Sequence, residues 1–365
     1  MDGGHVSDRT LWRVPGGGIL YRTPALSDGT VYVNDGLLRL AAIDADTGQR
    51  RWTLKHDAAI ESSPVADAGA VYFTDLYGHL TAVDAASGEV RWKWRSRQSK
   101  MSLPTVADGI VYAAQRHRMW AVDAVTGRPL WNVQVHDHRT YLNPPPTVAG
   151  GVLYAVEGGH VLALDIATGD RRWDVFPHGG GQQTPVVAGE SLYVGNGKGV
   201  VAMDAATGEE RWRLATGGTV WATPAVAEGI VAAGVRGWYL IAVDAETGRE
   251  RWRLKTRGEI HGTPAIADGT VYAGSHDGRL WAVDAVTGEE RWKQETGANR
   301  QSSPTVADGT VYIGSEDMSL WAVDAVTGEE RWRLETGGEV HSTPVAADGT
   351  VYVGSTDGFL YAIHA

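Results

Sequence analysis

Apolar residues in this chain come in short bursts of three to six positions, each closed by a turn-forming pair. A representative stretch reads Ser303-Pro304-Thr305-Val306, a turn at Ala307-Asp308-Gly309, then Thr310-Val311-Tyr312-Ile313-Gly314. After Ser315-Glu316-Asp317-Met318 come Leu320-Trp321-Ala322-Val323-Asp324, a turn at Val326-Thr327-Gly328, and Arg331-Trp332-Arg333-Leu334. Runs of this length, rich in β-branched and aromatic residues and bounded by Asp-Gly or Thr-Gly, predict β-strands. Glycine there takes positive φ freely, while Asp and Thr bond the local backbone. No stretch carries a helical apolar period of useful length, so helix content should be close to zero.

The whole unit recurs. A tryptophan stands at Trp12, Trp52, Trp92, Trp131, Trp173, Trp212, Trp252, Trp292 and Trp332, in steps of 40, 40, 39, 42, 39, 40, 40 and 40 residues. A proline keeps the same beat from Pro24 to Pro344. Four antiparallel strands per ~40 residues is the pattern of a β-propeller blade. The fold predicted is therefore all-β: a nine-bladed β-propeller of four-stranded antiparallel blades, one domain over residues 1–365, with residues 1–10 as a polar tail. The last copy stops at Ile363-His364-Ala365, after its third strand, whereas the chain opens with a spare run, Leu11-Trp12-Arg13-Val14. Pairing that run into the ninth blade closes the ring and leaves no open sheet edge.

The segment Ala82-Val83-Asp84-Ala85-Ala86-Ser87-Gly88-Glu89-Val90-Arg91-Trp92 and its siblings share the pattern Ala-x-Asp-x-x-Thr/Ser-Gly-x-x-x-Trp. Eight copies keep the Asp and Gly, from Asp44/Gly48 to Asp324/Gly328, and the ninth has His364 in the Asp position. This pattern resembles the tryptophan-docking motif of PQQ-like propellers. That family includes quinoprotein dehydrogenases, the outer-membrane assembly lipoprotein BamB and sensor domains of some bacterial Ser/Thr kinases. The resemblance implies that the tryptophans pack between neighbouring blades and that the Asp ties the turn. It says little about chemistry, since one fold hosts many functions. In the dehydrogenases a quinone sits in the central funnel on a tryptophan floor, held by calcium with Glu, Asn and Asp ligands and covered by a disulfide of adjacent cysteines. This chain has no cysteine, so PQQ with calcium is not expected, and no other cofactor is implied.

Composition narrows the partners. Apolar residues make up 43% and charged residues 21%, enough for a core and too little charge for disorder. The net charge of −11 argues against nucleic acid as partner. No apolar run approaches the ~18 residues of a membrane span, and Met1 to Thr10 are polar rather than signal-like. A monomer in the cytoplasm, without membrane contact, is the expectation.

In a meander of strands A to D, the D–A and B–C connections share one face and the A–B and C–D turns the other. The second face hardly changes from copy to copy, so individuality must lie on the first. The third residue before each proline reads Tyr21, Glu61, Met101, Asn143, Gln182, Trp221, His261, Gln301 and His341 around the ring. A solvent-facing slot free to drift would favour Lys, Glu, Ser and Asp. The residues present are binding types instead, so this slot is expected to ring the mouth of the central channel as a ligand-binding funnel.

The copies also depart from the pattern between residues 95 and 183. Arg95 to Lys100 is a basic loop, Gln115-Arg116-His117-Arg118 replaces Gly-Ser-x-Asp-Gly, and His136-Asp137-His138-Arg139-Thr140-Tyr141 precedes three prolines. Arg116, Arg139 and Tyr141 join the candidate binding residues. A basic sector on an acidic protein suits an anionic ligand or partner, although a few solvated loop charges would look the same. His136 and His138, two apart in a loop, make no metal site without a third ligand, and none is predicted. Gly195-Asn196-Gly197-Lys198-Gly199 reads as a hairpin turn rather than a phosphate loop, because no helix follows.

Two functions from different classes follow. One is a non-enzymatic module binding a small molecule or a peptide segment at the funnel. The other is a cofactor-free acid/base enzyme, for which Glu61, His261, His341 and Tyr21 are the proton-handling candidates and Arg116 or Arg139 the anion stabilisers.

Overall fold

Asp-Gly and Thr-Gly turns break each repeat into four strands, and in the computed structural model these assemble into nine separate four-stranded antiparallel sheets. The structure describes residues 9–16, 18–35, 37–95, 101–115, 118–134, 144–181, 183–297 and 302–365; among them are thirty-six strands and no helix. The eighth blade shows the plan. Strand A is Thr305–Ala307, B Thr310–Gly314, C Ser319–Asp324 and D Glu330–Glu335, hydrogen-bonded in that order. Asp308 and Gly309 both take positive φ (46° and 69°), the two-residue turn whose twist suits a hairpin. Between C and D the register slips at Ala322/Val323, so that Trp332 faces Ala322.

The A strands of successive blades lie against one another from Ala25–Ser27 through to Val345–Ala347, which places them innermost. Strand B is buried along its whole length, Val311 to Gly314 included, and so is most of C. Both of their faces are covered by neighbouring blades, and a near-continuous apolar run is what such a position demands. Strand D alternates, burying Trp332 between exposed Arg331 and Arg333. Each blade then grips the next. Trp292 donates its indole N–H to the carbonyl of Ala325 in the following blade (3.0 Å), and the Tyr272 hydroxyl donates to the same oxygen (3.0 Å). Gly328, at φ 77°, lies so close beneath that ring that a Cβ there would sit 2.5 Å from Trp292 Cγ.

The ring closes through the chain start. Strand Thr10–Pro15 pairs antiparallel with Phe359–His364, the C strand of the ninth blade, with Trp12 opposite Ala362 and Val14 opposite Leu360. It therefore serves as that blade's D strand. Thr10, expected at the end of the tail, pairs with Ile363 and belongs to the strand, and the His364 amide donates to Arg9 just before it (3.0 Å). Leu20, Val31, Tyr352 and Leu360 form one core across the junction of first and last blades.

Candidate functional site

Among the described residues, four D–A crossings rest on the B–C turn of the blade they enter. The His276 amide donates to Glu259 (2.8 Å), Thr356 to Glu339 (2.9 Å), Arg236 to Thr219 (2.8 Å) and Leu76 to Ala59 (2.9 Å). Crossings and B–C turns thus form one surface, the rim. Within a crossing, one apolar residue plugs the seam between blades and the next emerges. Leu20, Ile60, Val220, Ile260 and Val340 are no more than 2% exposed. After them, Tyr21, Trp221 and His261 are exposed, and Glu61 and His341 half-buried.

This rim carries the molecule's exposed rings. Among the described residues, the strongly exposed Tyr, Phe and Trp side chains are Tyr21, Tyr77, Phe176, Trp221 and Trp238. All five lie in crossings or B–C turns. At the opposite face the large apolar side chains that emerge from the C–D turns are valines, Val125, Val286 and Val326. An aromatic ring left in water covers no core and presents flat apolar area to a partner.

Four of the sequence-predicted residues come together as adjacent pairs. Trp221 stacks on His261, with centroids 5.8 Å apart and planes at 24°, and His261 stacks on His276 at 4.3 Å and 9°. Tyr21 and His341, from the first and last crossings, meet at 5.7 Å. Each of these histidines turns Nε2 to the glutamate two residues before it, His261 to Glu259 (2.9 Å) and His341 to Glu339 (2.7 Å). None of the four proton-handling candidates bonds directly to another through these nitrogens. Met101 is placed differently. It is 3% exposed and packs with Tyr72, Leu80 and Val111 in the core between the second and third blades. In the sequence a lysine, not an apolar residue, precedes Met101, and Met101 itself fills the seam, which withdraws it from the rim. Arg116, Arg139, Tyr141, Asn143, Gln182 and Gln301 lie outside the described residues, as do His136 and His138.

One row at the rim does not stand out in the sequence alone. The residue ending strand B in each blade, or following it directly, is Asp35, Asp75, Gln115, Glu157, Asn196, Val235, Ser275, Ser315 or Ser355, and every one is at most 3% exposed. Most of them cap the B–C turn beneath. Asp35 Oδ1 accepts the amides of Leu37 and Arg39 at 2.9 Å, and Ser355 Oγ accepts that of Asp357 at 3.2 Å. Val235 has no polar side-chain atom to offer, and Glu157 caps nothing either, since neither of its carboxyl oxygens has a hydrogen-bond partner. Burial pushes its pKa up to about 8.

Three groups of side chains among the described residues bring metal-ligating atoms within 4.8 Å of one another: His56/Asp75/His79, Glu259/His261/His276 and Glu316/Glu339/His341. Each contains imidazole, so none is the all-oxygen set calcium takes, and they do not fit a calcium-held quinone. A separate depression of about 310 Å³, lined by Phe176, His178, Met203 and Arg213 among others, lies apart from Tyr21, Glu61, His261 and His341.

Solved structures similar to this chain share its architecture at low identity. The crystal structure of BamB from Moraxella catarrhalis matches 83% of this chain and 94% of that one, at 19% identity and a TM-score of 0.66. A computationally designed protein, Ika8, matches 85% and 97% at 20% identity and a TM-score of 0.67. A quinohemoprotein alcohol dehydrogenase from Pseudomonas putida HK5 matches 85% and 75% at 16% identity and a TM-score of 0.62. At these identities the likeness is one of fold. No curated protein matches the sequence. The model of the family described as outer membrane protein assembly factor BamB matches in overlapping segments that span nearly the whole chain, residues 4–196, 174–238, 197–303 and 283–365, and the chain belongs to that family.

Proposed function

We propose that this propeller is a binding module, without catalysis of its own, that takes a peptide segment of a partner protein on its rim. The observation that carries this reading is the segregation of exposed rings: Tyr21, Tyr77, Phe176, Trp221 and Trp238 all emerge on the crossing face. Aromatic anchors flanked by polar groups are how binding surfaces concentrate affinity. Here the flanking groups are the Glu–His pairs at 259/261 and 339/341. They accept and donate hydrogen bonds, as a peptide backbone requires. Membership of a family described by an assembly factor supports a protein partner over a small molecule.

The reading is tested by panning a phage-displayed random 12-residue peptide library on the purified protein and measuring the enriched peptides on variants. Trp221→Ala combined with Tyr21→Ala should weaken them tenfold or more, with melting unchanged. Val286→Ser combined with Val326→Ser on the opposite face should leave them unaffected. Binding that survives the first pair and fails with the second would overturn the proposal.

A further inference from the structure

We propose that His56, Asp75 and His79 form a binding site for a divalent first-row transition ion of the zinc type. The three side chains converge on one point. His56 Nε2 lies 2.8 Å and His79 Nδ1 2.7 Å from the same oxygen, Oδ2 of Asp75. The other carboxylate oxygen is occupied, since Oδ1 accepts the amides of Tyr77 and His79, both at 2.9 Å. The backbone thus fixes the carboxylate with Oδ2 presented to the two rings, as partners behind a metal ligand do. The edge-on ring of Phe73, 5.1 Å away, holds His56 in place. The side chains of His56 and Asp75 are 4% and 0% exposed, and His79, at 16%, gives the way in.

Two imidazoles and a carboxylate are a donor set zinc takes, with a fourth position left for water. Ligand distances of about 2.0–2.2 Å require the donor atoms to stand roughly 3.3 Å apart, so the group opens by about half an ångström on binding. To bind the ion, each imidazole offers the nitrogen that faces Asp75 Oδ2 and carries its proton on the other.

Sister blades show that the fold does not need this group. The residue whose amide donates back to the preceding B–C turn is His56 here, and Thr216, Thr256 and Thr336 in other blades. In those blades the Asp75 position is Val235, Ser275 and Ser355, and Ser355 Oγ meets Thr336 Oγ1 at 3.2 Å. Neutral hydroxyls make the same joint without burying a charge, which costs free energy unless something pairs with it.

The test borrows those residues. His56→Thr, Asp75→Ser and His79→Arg, combined, import what sister blades carry at Thr256, Ser315 and Arg279. After stripping with chelator, incubation with zinc and desalting, elemental analysis should find one more equivalent on the wild type than on the triple variant. Cobalt(II) should give the wild type a tetrahedral visible band that zinc abolishes and the triple variant lacks. His261→Ala with His341→Ala should keep that equivalent. Should the triple variant lose cooperative melting, His79→Arg alone reads the same quantity, as a tenfold or greater weakening. Equal zinc uptake by wild type and variant, or loss of the equivalent in the rim pair instead, would overturn the proposal while leaving the peptide-binding reading standing.

Discussion

Trp12 and Tyr352, 340 residues apart in sequence, donate to the same carbonyl, that of Ala45, at 3.0 and 3.3 Å with their rings 5.9 Å apart. Tyr272 and Trp292 do the same to Ala325 within the continuous part of the ring. The closing seam is thus built like the others, with its tryptophan supplied by the chain start.

Removing residues 1–15 should therefore strip one strand and one indole from the last seam at once. The edge of Phe359–His364 would lie open, and an exposed strand edge invites pairing with another molecule. The truncated protein should melt lower and form oligomers by light scattering. Trp12→Ala alone should cost roughly 2–4 kcal/mol in denaturant unfolding, somewhat below a fully buried tryptophan because this ring is half-buried. An unchanged melting temperature in the truncated chain would contradict the latch.

The glycine beneath each ring is a second check on the seams. Gly328 combines φ 77° with a Cβ position 2.5 Å from Trp292 Cγ. Gly328→Ala should cost about 2 kcal/mol or more, part from the left-handed backbone and part from the collision. With Trp292→Ala also present, the collision term vanishes. The double variant should fall short of the sum of the singles by at least about 0.5 kcal/mol in a double-mutant cycle. Simple additivity would mean that the ring can step aside.

Much of this was legible in the residues. Trp and Pro in phase announce nine equal units, and a spare strand at one end with a missing one at the other announces closure. Both are local patterns repeated, and repetition survives without coordinates. The rim placement of Tyr21, Trp221, His261 and His341 was legible for the same reason, because their slot diversifies against a constant background. Met101 was misplaced because counting back from Pro104 assumes that every crossing has the same register. The His56/Asp75/His79 group was illegible for a different reason. Its members come from a crossing, the end of strand B and the start of strand C, and only the fold stacks those segments. The one available signal was His56 in a slot that holds Thr in four other blades, because the Asp75 slot varies from blade to blade.

On the opposite face, the turn carboxylates should make the protein sensitive to acid. Asp84 accepts from Arg91 at 2.7 Å and from the Ser87 amide at 2.9 Å, which bring its pKa down to about 2. Asp204 reaches the same value through Arg211 and the Thr207 amide. A folded pKa below the unfolded value of 3.8 means that the folded state holds the charged form. The stabilisation is present above pH 4 and fades as pH falls towards 2. Urea midpoints should drop steeply across that window, and less steeply in Arg91→Ala with Arg211→Ala. A flat profile from pH 4 to 2 would show that the turns do not depend on ionised aspartate.

Glu157 predicts the opposite slope at higher pH. Its carboxyl, 3% exposed and without a hydrogen-bond partner, is pushed up to about 8 from 4.5 by burial. Below pH 4.5 folded and unfolded chains both carry the proton, and the residue is neutral to stability. Between 4.5 and 8 the unfolded chain releases it while the folded chain retains it, so stability falls as pH rises, and above about 8 the loss is complete. Glu157→Gln removes this slope without new geometry, since Gln115 and Asn196 occupy the equivalent buried position in the blades on either side. Melting temperatures of the wild type relative to the variant should therefore decline from pH 5 to pH 8. Parallel curves would mean that the carboxylate finds a partner or water when it ionises.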